Sequence, residues 1–195
     1  LEMSRLAGMR LREIMSVYTG EEVARMRSVR HQMGELGADE SGVVRTMTKA
    51  EMMAVALNSG NEYSKKVLME GYGWSEDQLM HIINRLDKRD MDTVQAIWDW
   101  IEEYKKPRFD LHERVTGVRP EAVDPLPLRT MHGVYRGGYY HTAYSSREDE
   151  VQFAREQTAE SMDQLFQSPY FMASTKQGAL QQRRGSGGKK VRLDL

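Results

Sequence analysis

Among its 195 residues the sequence has no cysteine. Disulfides, Cys-ligated zinc, iron–sulfur clusters and a thiol nucleophile are thereby excluded. There is no apolar run near the roughly 18–20 residues of a membrane-crossing helix. Charge of one sign is also missing: 28 Lys and Arg face 29 Asp and Glu, for a net charge of -1. That balance excludes a uniformly basic nucleic-acid binder and an acidic tail protein. The first residues, Leu1-Glu2-Met3, run into a helical pattern with neither the basic nor the apolar region of a signal peptide. Hydrophobic residues make up 39%, enough for a modest core, and the composition reads as a soluble, mostly helical chain. Methionine is abundant, with 14 copies. Its flexible side chain fills cores without specifying them tightly.

Helical spacing dominates the first 117 residues. Leu11, Ile14, Met15 and Tyr18 fall on one face of a helix over 1–18. Thr19 and Glu22 form a capping box, and Met26, Val29, Met33 and Leu36 stripe a second helix that Gly34 and Gly37 end. A loop is expected over 37–46. Thr48 and Glu51 cap a third helix through Leu57, and Asn58-Ser59-Gly60-Asn61 stops it and caps a fourth over 62–70. Ser75 and Gln78 cap a fifth carrying Leu79, Ile82, Ile83 and Leu86. Over 90–104, Val94, Ile97, Trp98, Ile101 and Tyr104 share one face, with Asp90 and Asp92 at the start and Lys105-Lys106 at the end, as the helix dipole prefers. Pro107 is expected to break this helix and start a further stretch to Val115.

The pattern changes at 118. Three of the five prolines lie in 118–147, with Gly133, Gly137 and Gly138. Tyr135 to Tyr140 reads as a short hairpin or an ordered extended loop. Residues 148–166 return to helix, with Val151, Phe153, Ala154 and Met162. From Lys176 to Asp194 there are six bases against one acid, and Arg183-Arg184-Gly185-Ser186-Gly187-Gly188-Lys189-Lys190 has the composition of a flexible basic linker. The chain closes on an alternating, strand-like run from Val191 to Leu195. Both ends read as cut from a longer polypeptide. The expected architecture is all-α: a helical pair and loop over 1–46, a helical domain over 47–117, the irregular segment 118–147, then a helix and basic tail over 148–195. The helices are expected to form a bundle-like array.

Motifs for catalysis fail on their own spacing. His112-Glu113 begins a zinc-protease motif, but Thr116 stands where the second His is needed. Gly188-Lys189 ends like a phosphate-binding loop, but Arg183 replaces its first glycine and Lys190 the hydroxyl residue that reaches magnesium. Asp87, Asp90 and Asp92 lack the glycine and the spacing of a calcium loop. His132 and His141 flank the expected hairpin and are placed to meet across it, although scattered histidines are more often satisfied singly. Tyr135, Tyr139, Tyr140 and Tyr144, with Arg136, have the chemistry to stack bases; the plainer reading anchors the irregular segment through buried rings. Trp98 and Trp100 belong mainly to core and rim, and Trp98 joins the four tyrosines as a candidate packing or partner surface. Arg183, Arg184, Lys189, Lys190 and Arg192 are the candidate contacts for DNA or an acidic partner. No catalytic residue, metal or cofactor is expected.

One stretch is more specific than its periodicity. It contains Pro107-Arg108-Phe109, Arg114-Val115-Thr116-Gly117, Pro120, Val123-Asp124-Pro125, Pro127-Leu128, Gly133, Gly137-Gly138-Tyr139-Tyr140 and Tyr144. This resembles a segment of the internal virion, or DNA ejection, proteins of tailed phages and the related large polyvalent phage proteins. Those show a helix, a T-G-x-x-P step, a V-x-P-x-P run and then G-G-Y-Y-P-x-x-Y; here His141 stands in place of the last proline. The likeness covers about residues 45–195, and the approach to the C-terminus, Gly187 to Leu195, is similar too. The family's lytic transglycosylase motifs do not appear.

The resemblance implies a structural role in genome delivery. Such proteins lie inside the capsid, often stacked at the portal, leave through the tail and reassemble as an oligomeric conduit across the host envelope. Implied partners are further copies of the chain, other ejection proteins or the portal, DNA, and the host envelope through the full-length protein. Short helices and a Met-rich core, with no disulfide, suit unfolding in a narrow tail. Two alternatives stand: a helical flank of a giant virion polypeptide whose RNA polymerase or cell-wall hydrolase lies elsewhere, and a small helical nucleic-acid-binding module. The net charge argues against the last unless the basic tail binds alone.

Overall fold

Five side-chain caps set the helix starts in the body of the protein. In the computed structural model, which describes residues 2–39, 41–140, 191 and 193 (backbone alone for 2–8), the elements are α1 (Glu2–Met15), α2 (Gly20–Ser28), β1 (Arg30–Gln32), a 3-10 turn (Gly34–Leu36), β2 (Thr46–Thr48), α3 (Lys49–Asn58), α4 (Glu62–Tyr72), α5 (Glu76–Ile83), α6 (Lys88–Glu103), α7 (Lys105–Thr116), β3 (Leu128–Thr130) and β4 (Gly133–Tyr135). Reciprocal capping boxes open α2, α3, α5 and α6, at Thr19/Glu22, Thr48/Glu51, Ser75/Gln78 and Asp87/Asp90. Each satisfies two of the amides that a helix start leaves free.

The chain is mostly helical, and the all-α expectation is corrected by two antiparallel strand pairs. β1 pairs with β2 in the register Arg30↔Thr48, His31↔Met47, Gln32↔Thr46. The second helix therefore ends at Ser28, not near Gly34. Val29 is extended (φ -79°, ψ 120°), and strand pairing with Thr46–Thr48 wins over a helical continuation. Met33 and Leu36 are buried as the stripe suggested, but they hang from a strand end and a 3-10 turn. The expected 37–46 loop is a long hairpin excursion. Asp39 Oδ1 accepts from the amides of Ser41 (2.9 Å) and Val43 (3.0 Å) at its tip, and Ala38 bridges Val44.

α3 lies at the centre. From Met52 to Asn58 every residue is buried, as expected of a helix apolar on all sides, and α3 packs on α2, α4, α5 and α6. One apolar cluster takes in Tyr18, Met26, Met33 and Leu36 from the N-terminal region. From the central helices it takes Met53, Leu57, Leu68, Leu79, Ile83, Met91 and Trp98, and from later in the chain Leu128, Tyr135 and Val191. α7 starts at Lys105, two residues before Pro107, so the proline sits in the first turn, where its missing N–H costs no bond. Gly117 ends it in the left-handed conformation (φ 74°). The second hairpin is β3–β4, closed at Thr130↔Gly133. It precedes the Tyr135–Tyr140 stretch read as hairpin or loop, and 136–140 run on without regular pairing.

Candidate functional site: a strap seated on Trp98

Trp98 is completely buried in the middle of α6, and its Nε1 donates to the Leu57 carbonyl at 3.0 Å. That carbonyl is among the last of α3, where besides the indole it meets only the amides of the helix end, Gly60 N at 3.5 Å among them. The joint that follows, Ser59-Gly60-Asn61, lies against the same indole. Ser59 Oγ donates back to Val55 O (2.8 Å), and Asn61 Oδ1 accepts from Ser64 N (2.8 Å) to cap α4. Gly60 has no room for a side chain: a Cβ there would stand 2.5 Å from the Trp98 ring.

Residues 126–140 are strapped over this joint. The single carbonyl of Gly60 accepts from both Leu126 N and Gly138 N, each at 2.8 Å. Gly138 rests against the stem of the same side chain, where a Cβ would come within 2.6 Å of the tryptophan Cβ. Gly137 takes φ 81° with its α-carbon pressed against the Leu126 carbonyl, a conformation and an approach open to glycine alone. Asn61 Nδ2 lies 3.5 Å from Gly138 O. The strap is fastened to α6 by side chains as well. Tyr135 Oη donates to Asp92 Oδ1 (3.1 Å), Arg136 N donates to Gln95 Oε1 (2.8 Å), and the Arg136 guanidinium meets Asp99 at 2.5 Å. Burial, and then the Asp92 carboxylate, push the Tyr135 phenol up to about 12.

The expected site residues divide accordingly. Trp98 and Tyr135 are buried anchors, and Tyr139 and Tyr140 are half-buried. Tyr140 closes an apolar cavity of about 170 Å³ with Leu11, Met15, Met26, Ile97 and Trp100. The rings therefore fix the segment rather than offering exposed faces. Tyr144, Arg183, Arg184, Lys189, Lys190 and Arg192, the helix expected over 148–166 and His141 lie outside the described residues. His132 Nε2 is 3.0 Å from Leu86 O, and Met131 N donates to Asn84 Oδ1 (3.3 Å), so the hairpin turn is tied to the end of α5. Among the described residues no group of three His, Asp or Glu is placed to hold a metal ion, and no helix is long and apolar enough to cross a membrane.

Sequence reasoning missed a second polar centre. Asp90 is fully buried at the start of α6. Its Oδ1 accepts from Tyr18 Oη (2.9 Å), and its Oδ2 accepts from Asp87 N (3.1 Å) and pairs with Lys49 Nζ (2.8 Å). Tyr18 Oη also meets Thr93 Oγ1 (3.2 Å), and Arg89 stacks over the Tyr18 ring at 4.5 Å while pairing with Glu22. One carboxylate thus joins the α1–α2 turn, α3 and α6. Burial, helped by the Asp90 charge, raises the Tyr18 phenol well above its ordinary value. Burial opposes the charged forms of Lys49 and Asp87, yet the Asp90 and Asp87 carboxylates together hold Lys49 above its ordinary value, and the Asp90 backbone N–H with the Lys49 ammonium holds Asp87 below its own. The spacing Asp87-x-x-Asp90 was the available signal. An aspartate is a weaker mark of a capping box than Glu or Gln.

No family model, curated protein or solved structure matches the chain.

Proposed function

We propose that this chain is a structural, non-enzymatic part of an internal virion protein of a tailed bacteriophage. It is held in the capsid core, ejected with the genome, and contributes to an oligomeric conduit for DNA delivery across the host envelope. The observation that carries the reading is the seat of the strap. Gly137-Gly138-Tyr139-Tyr140, the most specific stretch of the resemblance, packs by backbone and rings against Trp98 and the Gly60 carbonyl. A motif whose glycines exist to let backbone touch a core tryptophan has a packing role. Just ahead of it, the Tyr135 and His132 side chains hold the hairpin to the helices rather than converging on a shared pocket. The helices are taken to act as a bundle-like array that contacts sister subunits. The basic residues Arg183, Arg184, Lys189, Lys190 and Arg192 are proposed to meet DNA as it passes.

The test is to compare purified particles before and after triggered genome release, by quantitative peptide mass spectrometry. The expected result is peptides of this chain in several copies per full particle and their loss from emptied ones. Peptides absent from full particles, or retained after release, would contradict an ejected role. Polymerase or hydrolase peptides contiguous with these residues would make the chain a helical flank of an enzyme-bearing polypeptide.

A further inference from the structure

Val191 is completely buried although its flanking residues lie outside the described structure. Its carbonyl accepts from Tyr72 Oη at 2.7 Å, at the last residue of α4. Leu193, two residues on, packs against the same apolar cluster. Alternate residues inward with a main-chain carbonyl engaged is how an extended segment seats on a folded body. The socket itself is aromatic: Tyr72 stacks on Trp74 with ring centroids 4.3 Å apart. The Trp74 indole N–H is buried and lacks an acceptor among the described residues.

We propose that the Tyr72–Trp74 face is an exchangeable socket, and that its partner in the assembled state is the Val191–Leu193 segment of a second copy of this chain. The inference rests on the assembly reading for its partner and on the socket for its site. Fifty residues, 141–190, separate the last continuous described residue from Val191. That many residues can span up to roughly 165–180 Å. A folded unit of this size has a radius of gyration near 14 Å, so chain length does not restrict the segment to its own socket. A tether this long supplies its own socket with an effective concentration of at most about millimolar. Neighbouring copies packed at a similar concentration compete with it on equal terms. The contacts made in exchange are identical to those made within one chain, so exchange sacrifices none of them.

The test uses the full 195-residue chain, sized by chromatography with light scattering from micromolar to millimolar concentration. The wild-type chain is expected to populate a dimer at the upper end. Val191→Asp is expected to remain monomeric with its helical circular dichroism retained. Because Val191 is buried, Leu193→Asp at the half-buried position is the second variant, should the first fail to fold. Tyr72→Phe, which removes only the phenolic donor, weakens the seat within and between chains alike, so alone it should dimerise within about twofold of the wild-type chain. Mixing Val191→Asp with Tyr72→Phe should restore a 1:1 dimer, since one chain keeps a sound socket and the other a sound segment. A wild-type chain that stays monomeric at millimolar concentration overturns the exchange. Dimers that form equally well in both segment variants also overturn it, while leaving self-assembly through another surface intact.

Discussion

Gly138 and Trp98 meet through atoms that cannot swing aside. A methyl group on Gly138 would press on the tryptophan Cβ at 2.6 Å, not on the free end of a side chain. Gly138→Ala is therefore expected to destabilise the fold by about 1–3 kcal/mol, the usual cost of overpacking. Urea unfolding would read this as a lower midpoint at constant slope. Gly20→Ala is the matched control. It opens α2 with nothing within 4 Å of the added carbon, and should gain about 0.4–1 kcal/mol through the unfolded chain. The phenol of Tyr135 gives a second residue-level outcome. Its folded value of about 12 exceeds the ~10 of a free phenol. The neutral hydroxyl thus contributes stability that is whole below about pH 10 and is lost as pH rises toward 12. Ultraviolet titration should show Tyr135 and Tyr18 ionising late, and Tyr135→Phe should remove the step near pH 12 while leaving that of Tyr18. Much at this scale was legible. Three capping boxes were readable from a hydroxyl residue and its Glu or Gln three positions on. Gly60 read only as a helix stop, because its real constraint, the face of Trp98, lies 38 positions away in the sequence.

Elements were legible where one face is apolar and the ends are capped, as in α3, α5 and α6. They were misread where pairing beat periodicity. Met26, Val29, Met33 and Leu36 keep helical spacing, yet Arg30–Gln32 form a strand because Thr46–Thr48 offer them a ladder. The hairpin turns at Met131-His132, and of the two readings open over 135–140 the loop is the one observed, since 136–140 carry no strand pairing. Gly137 and Gly138 serve close approach rather than a turn. Between elements, the Asp90 centre is the decisive joint. Lys49→Met leaves its buried carboxylate without its cation. Loss of one member of a buried pair costs about 3–5 kcal/mol. Lys49 is 29% exposed, so solvent screening should bring the loss to the lower end of that range or below. The same joint sets an acid limit. Asp87 is held below the ~3.9 of a free aspartate. Its contribution is present above about pH 4 and is lost as pH falls through the depressed folded value. Thermal unfolding between pH 3 and 7 should show this acid loss, and Asp87→Asn should flatten it.

At the scale of the whole molecule, one apolar cluster reaches from Tyr18 to Val191. Such joins were not legible, because a single sequence carries no mark of which distant residues meet. Six of its buried side chains are methionines: Met26, Met33, Met47, Met52, Met53 and Met91. A core so rich in flexible side chains fits the modest stability that the proposed passage through a tail would require. Calorimetry is expected to place melting at about 45–65 °C, the ordinary mesophilic range; a value above about 90 °C would oppose a threading route. The central claim is that these residues assemble rather than catalyse, inside a virion. It is tested most directly by the intact mass and native size of the source protein released from purified particles. The expected result is a long chain, in several copies per particle, that forms rings or tubes in solution. A free monomer near 22.5 kDa, absent from every particle, would contradict it.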